Sequence, residues 1–164
     1  MRATARFAAI VLAASAGLAP SLQAADSSDP PPAAASPRAA ADPLGAARGH
    51  IAAKRWPEAI RELQRVNASG NADWNNLMGY SLRKQASPDL DGAQRHYDAA
   101  LRIDPRHKGA LEYAGELALM KGQLAVAEER LAALGRVCSS PCEELDDLKK
   151  AIQKFKANGN RWVP

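Results

Sequence analysis

The chain has 164 residues, of which 46% are hydrophobic, 24% charged and only 5% aromatic. Alanine supplies much of the hydrophobic share, and an alanine-heavy, aromatic-poor chain argues against an all-β sandwich or barrel and for packed helices. The formal net charge of +4 shrinks when residues 1–24 are set aside. Arg2 and Arg6 lie there and no acidic residue does, so 22 basic residues become 20 against 18 acidic, leaving +2. So small an excess gives no reason to expect a nucleic-acid partner.

Residues 1–24 read as a cleavable export signal. Arg2 and Arg6 make a positive start, residues 7–19 (FAAIVLAASAGLA) form an apolar run, Pro20 breaks it, and small residues follow in SLQAAD. The run falls short of the roughly 20 residues that span a bilayer, so no stable membrane insertion is expected after cleavage. The alternative is a hydrophobic N-terminal helix or an uncleaved anchor. The expected cut follows Ala24 or Ala25. No cysteine follows the run, which argues against a lipid anchor, and no twin-arginine pair stands before it. These features predict export to the periplasm by the general secretory pathway, with one domain's length of mature chain. Residues 25–43 carry Pro30, Pro31, Pro32, Pro37 and Pro43 among alanines and serines, with no large apolar residue. Such a stretch buries too little surface to offset its ordering entropy and reads as a disordered spacer.

From Leu44 onward one period governs the chain. Ala59, Ala93 and Ala127 stand 34 residues apart. Four residues after each come Leu63, Tyr97 and Leu131; three further on, Val66, Ala100 and Leu134; three before, Trp56, Leu90 and Leu124. The same sequence of side-chain sizes thus recurs at helical spacing in three segments. A helix is expected before each: 43–54 as a weak copy, then 71–85 and 110–120. The expected turns are Arg55-Trp56-Pro57, residues 86–89 around Pro88, and Lys121-Gly122-Gln123, and Asp104-Pro105 closes the second pair.

This pattern resembles the tetratricopeptide repeat, a 34-residue helix–turn–helix. The third copy matches best, with Leu111, Ala114 and Gly115, then Gly122, then Ala127, Leu131 and Leu134. The second has Met78, Gly79, Ala93, Tyr97, Ala100 and Pro105, with about two extra residues in its turn. The first keeps only Ala59, Leu63 and Val66; Pro43 takes an aromatic's place, and at the end of the third copy Ser139 replaces the closing proline. The resemblance implies an all-α fold, a right-handed superhelical solenoid of three helix pairs (44–70, 71–105 and 106–137) with a C-terminal cap. It also implies that Gly115 meets Ala127 where paired helices cross, and that Tyr97 and Leu131 fill the grooves between repeats.

Residues 138–157 supply the expected cap, and 158–164 a tail. Ser140 as N-cap, Pro141 at the first helical position and Glu143 would form a capping box. Leu145, Leu148, Ile152 and Phe155 make one apolar stripe. Acidic residues load the helix start and lysines its end, which suits the helix dipole; the other reading is that the gradient marks a ligand site. Cys138 and Cys142 lie at one turn of an exported chain and read as a disulfide. The loop-length rule gives so short a loop roughly 2 kcal/mol. A redox dithiol is the first competing reading, since Cys142 sits at a helix N-terminus. Copper binding by the C-x3-C pair is the second. Haem attachment needs C-x2-C-H, which is absent.

The segments Met78-Gly79-Tyr80-Ser81-Leu82-Arg83-Lys84, residues 105–116 (PRHKGALEYAGE) and Cys138 to Glu144 together resemble a group of small exported bacterial tetratricopeptide proteins, a resemblance that carries no activity with it. No catalytic constellation is found. His50, His96 and His107 form no H-x3-H pair or H-E-x2-H motif, no G-x-S-x-G elbow occurs, and no phosphate loop or dinucleotide fingerprint occurs. His96 is expected at the surface and His107 at a helix start. No cofactor and no metal are expected.

What the resemblance implies is a binding surface for a protein or peptide, lined by the first helix of each pair. By helical phase its residues are Arg48, Asn76, Tyr80, Arg83, Lys84, Glu112, Glu116 and Met120. Arg83 and Lys84 would hold a partner carboxylate, and Asn76 an extended backbone. The family's carboxylate clamp is not reproduced, since Leu44 and Glu112 stand where it places polar or basic groups. The expected function is a periplasmic interaction module, adaptor or assembly factor, without catalysis. A redox or copper-handling accessory role for Cys138 and Cys142 is the alternative.

Overall fold

A computed structural model describes residues 42–163, all within one compact unit of the chain. The export signal, all but two residues of the spacer, and Pro164 lie outside the described residues. Among the described residues the secondary structure is entirely helical: α1 (Gly45–Ala52), α2 (Trp56–Val66), α3 (Ala72–Lys84), α4 (Leu90–Ile103), α5 (Lys108–Met120), α6 (Leu124–Val137) and α7 (Glu143–Ala157). None of these helices is long and apolar enough to cross a membrane.

The 34-residue period fixes where the even helices start, at Trp56, Leu90 and Leu124. Ala59, Ala93 and Ala127 are each fully buried, as small residues at a close helix crossing should be. Local chemistry sets the ends. Asn71 Oδ1 accepts from the Trp74 amide at 2.9 Å, Asp89 Oδ1 from the Gly92 amide at 2.8 Å, and His107 Nδ1 from the Ala110 amide at 3.1 Å. Gly122, at φ +74°, turns the chain between α5 and α6.

Each helix packs on the next, and α1 on α3, α3 on α5 and α5 on α7. The buried side chains form a chain of clusters along this order. Leu44, Ala47, Leu63, Trp74, Leu77 and Met78 join α1 to α3, and Trp74 Nε1 donates to the Leu63 carbonyl at 2.7 Å. Tyr97, Ala93, Ala114 and Leu117 join α4 to α5. Leu111, Leu119, Leu134, Leu148, Ile152 and Phe155 close the far end, so α7 covers α5 and α6 with the expected stripe.

Four local expectations are corrected. The helix at the cap has no capping box: Cys142 is its N-cap residue and makes no side-chain cap. Cys142 has the extended geometry usual at an N-cap (φ −142°, ψ 106°), and helical geometry begins at Glu143. Trp56 and Pro57 belong to α2, not to the turn, because proline suits a helix's first turn. Asp42 and Pro43 belong to the fold and not to the spacer: Asp42 Oδ1 accepts from the Leu44 amide at 2.9 Å. Finally, a Cβ on Gly115 would meet Leu148 Cδ2 at 2.6 Å, so its close neighbour is the cap and not Ala127. Gly79 does serve its own pair, since a Cβ there would meet the Tyr97 ring at 2.7 Å and the Ala93 carbonyl at 3.1 Å.

Candidate functional site

The residues expected to line a groove divide into two groups. Arg48 stands apart, exposed on α1, with Nη2 3.3 Å from Asp73 Oδ2 and Nε 3.4 Å from Asp42 Oδ2. Asp73 also receives His107 Nε2 at 3.0 Å, so one carboxylate ties the starts of α3 and α5 to α1. Asn76, Tyr80, Arg83 and Lys84 on α3, with Glu112, Glu116 and Met120 on α5, are the second group. They share a face because the spacings 76-80-83 and 112-116-120 follow the helical repeat.

Along that face runs a row of rings. Trp56 meets Tyr80 edge-on at 5.7 Å, and Tyr80 meets Tyr113 at 4.7 Å. Arg83 lies over both tyrosines, 5.6 and 5.5 Å from their centroids, and Lys84 Nζ lies 5.7 Å from the Tyr80 centroid. The Arg83 side chain is almost fully buried and its Nη2 donates to Glu116 Oε2 at 2.6 Å. Burial disfavours its charge, but its interactions with Tyr97 and the Glu116 carboxylate more than compensate and hold its pKa above the ordinary value. The expectation that Arg83 is free to take a partner carboxylate is therefore corrected: Glu116 of the same chain already holds it. Lys84 is exposed. His96 is also corrected: it is half-buried, edge-on to Trp74, with Nδ1 3.1 Å from Asn75 Oδ1, and burial lowers its pKa.

Two pockets open beside the ring row. One, of about 440 Å³, lies among Arg83, Lys84, Pro88, Glu116, Met120, Ala151, Lys154, Trp162 and Val163. The other, of about 220 Å³, is bounded by Asn76, Gly109, Glu112, Tyr113, Glu143, Glu144 and Asp147. Sequence reasoning missed the contribution of α7 and of Trp162. The signal was present: Glu144, Asp147, Ala151 and Lys154 repeat the 3-4-3 spacing of the apolar stripe one residue earlier. The charge gradient that suits the dipole also sets acidic groups in one pocket and a basic group in the other. Trp162 gave no periodic signal.

Glu112 is buried and has no ion pair among the described residues. Burial pushes it up to about 8, and the carboxylates of Glu116, Asp147 and Glu144 push the same way against Arg83. The folded chain holds this proton to about pH 8, while the unfolded chain releases it near 4.5. The stability it contributes is complete below about 4.5 and is lost as pH rises to about 8. Glu112→Gln is therefore expected to raise the urea midpoint at about pH 9 and to change it little at about pH 4.5. Equal midpoint changes at both pH values would contradict this.

The Cys138 and Cys142 sulfurs are bonded, and Glu144 Oε2 lies 3.3 Å from Cys142 Sγ. Cys138, Cys142 and Glu144 also place three ligand-type atoms within 4.8 Å of one another. No family model matches the chain, and no curated protein matches it either.

Proposed function

We propose that this chain is an exported tetratricopeptide-type interaction module, an adaptor or assembly factor of the periplasm with no catalysis of its own. In this reading the helix pairs stack as a right-handed superhelical solenoid, α7 caps it, and the face of α3, α5 and α7 holds an extended segment of a partner protein. The carrying observation is that three alternate helices share one face where two pockets flank a row of aromatic rings. The 34-residue recurrence of buried alanines supports the repeat reading. The compartment rests on the signal read in residues 1–24.

Rings offer apolar area at low entropic cost, and Lys84 adds an exposed cation beside them. Crosslinked pull-down from an exporting cell envelope tests this. Lys84→Glu and Tyr80→Ala, made separately, are each expected to cut partner capture several-fold, roughly the loss of one interface anchor, with helicity retained. Unchanged capture of every partner by both variants would end the groove reading.

The alternative, copper handling, is favoured by the convergence of Cys138, Cys142 and Glu144. Reduced thiolates there would suit a soft metal ion. Uptake of Cu(I) by the reduced protein, lost in Cys138→Ser, is its expected mark; no uptake after reduction would discard it.

A further inference from the structure

The chain reverses where α7 ends. The Gly159 amide donates to the Lys156 carbonyl at 3.1 Å and the Asn160 amide to the Phe155 carbonyl at 3.0 Å, the paired bonds of a Schellman motif. Gly159 (φ +67°) and Asn160 (φ +58°) are both left-handed. A Cβ on Gly159 would meet nothing within 4 Å, so glycine serves the backbone angle there and not a close approach. Beyond this turn Trp162 and Val163 do not continue the helix axis. They face the same cavity as Ala151 and Lys154, which lie six and three residues before the last residue of α7, Ala157.

That cavity, of about 440 Å³, lies where α3 and α5 finish, and Arg83, Lys84, Glu116 and Met120 line it with the tail. The tail thus brings a ring and an aliphatic side chain to four of the residues expected to hold a partner's extended segment. Its hold is apolar and slight. Trp162 is partly buried against the cluster of α5, α6 and α7, and Val163 is 45% exposed. Among the described residues no hydrogen bond or ion pair ties down Arg161, Trp162 or Val163. A segment with few buried contacts and an unpaired backbone belongs to the part of a fold that opens most easily.

We propose that residues 161–163 form a displaceable strap across this end of the groove, and that a partner segment enters by bringing an aromatic side chain to the place Trp162 holds. Opening the strap uncovers the apolar surface beneath Trp162, so the segment that replaces it must cover that surface again. A ring does so at low entropic cost. The regulatory meaning rests on the groove reading above; the strap contact stands on the tail's own geometry. Apparent affinity falls with the fraction of molecules that are open, so a strap closed in about 90% of them weakens a partner about tenfold. For a tail tethered at an effective concentration of about 1 mM, that closure corresponds to a Kd of about 0.1 mM for the same segment as a free peptide.

The test uses the full mature chain. The probe is the acetylated and amidated peptide of residues 158–163, and the readout is the Met120 methyl signal in NMR titrations. Trp162→Ala releases the strap and should bind the peptide with a Kd of about 0.1 mM, about tenfold tighter than the unchanged chain. Trp162 also touches the core, so Gly159→Val is the second variant. It opposes the left-handed reversal and keeps the ring in the chain. It should gain affinity in the same direction, with the far-UV circular dichroism of both variants unchanged. The peptide carrying Trp162→Ala should leave the signal where it is. No binding to either variant would overturn the proposal, as would equal affinity in the variants and the unchanged chain. Equal binding of the two peptides would overturn it too, since the ring would then not be what the groove takes. Partner capture that depends on Tyr80 and Lys84 but is the same in both strap variants would keep the groove reading and remove the strap. Peptide binding as expected, with capture indifferent to Tyr80 and Lys84, would keep the strap contact and remove the groove reading.

Discussion

Arg83→Ala is expected to cost about 3–5 kcal/mol of folding stability, the scale for removing one partner of a buried ion pair. The Arg83 side chain is 2% exposed and Glu116 21%. Truncation leaves Glu116 without the guanidinium that now donates to it at 2.6 Å. It also removes a guanidinium that lies over Tyr80 and Tyr113. Arg83→Lys should recover little, because an ammonium cannot reproduce the planar fork and the stacking together. Arg83→Met combined with Glu116→Leu should recover most of the loss, since apolar replacement of a buried pair is often neutral or stabilising. Urea unfolding followed by far-UV circular dichroism checks the series. A loss for Arg83→Ala no larger than that of an exposed pair would show that water screens this one.

Phe155→Ala is expected to cost about 3–5 kcal/mol as well, here by the cavity it leaves. Phe155 is 2% exposed and packs with Leu148 and Ile152 against the cluster at α5 and α6. The damage should be local. In an array where each element packs mainly on its neighbours, a lost interface loosens the nearest elements first. Hydrogen exchange should therefore rise across α7 and the facing parts of α5 and α6 while α1 and α2 keep their protection. Uniform loss of protection from α1 to α7 would mean that the array unfolds as one cooperative unit.

These two residues differ in how far the sequence anticipated them. Phe155 belonged to a 3-4-3 stripe, and any helix with such a stripe buries it somewhere. Helical phase places Arg83 in an open groove, free for a partner carboxylate, whereas its burial depends on a glutamate 33 residues away and on two tyrosine faces. The same contrast separates Gly79 from Gly115. Both are glycines that the 34-residue pattern matches in the first helix of a pair. One meets the helix that follows it, at Tyr97. The other meets Leu148 of α7, which packs on α5 from further along the chain. The expected capping box is absent because α7 starts two residues later than a Ser140 cap would place it, with Cys142 at its N-cap.

The amino-acid sequence by itself determined the seven helices, the breaks between them near Pro88, Asp104-Pro105 and Gly122, the helix start at His107, and the buried alanines Ala59, Ala93 and Ala127. Helical phase and end chemistry are properties of a few consecutive residues, so they are written locally. Only the tertiary structure decided that Arg83 pairs with Glu116, that α7 forms a wall of both pockets, and that Glu112 shares a cavity with Glu143, Glu144 and Asp147. Those pairings depend on the angle and register at which helices cross, and a one-residue shift in register would exchange every partner across the interface.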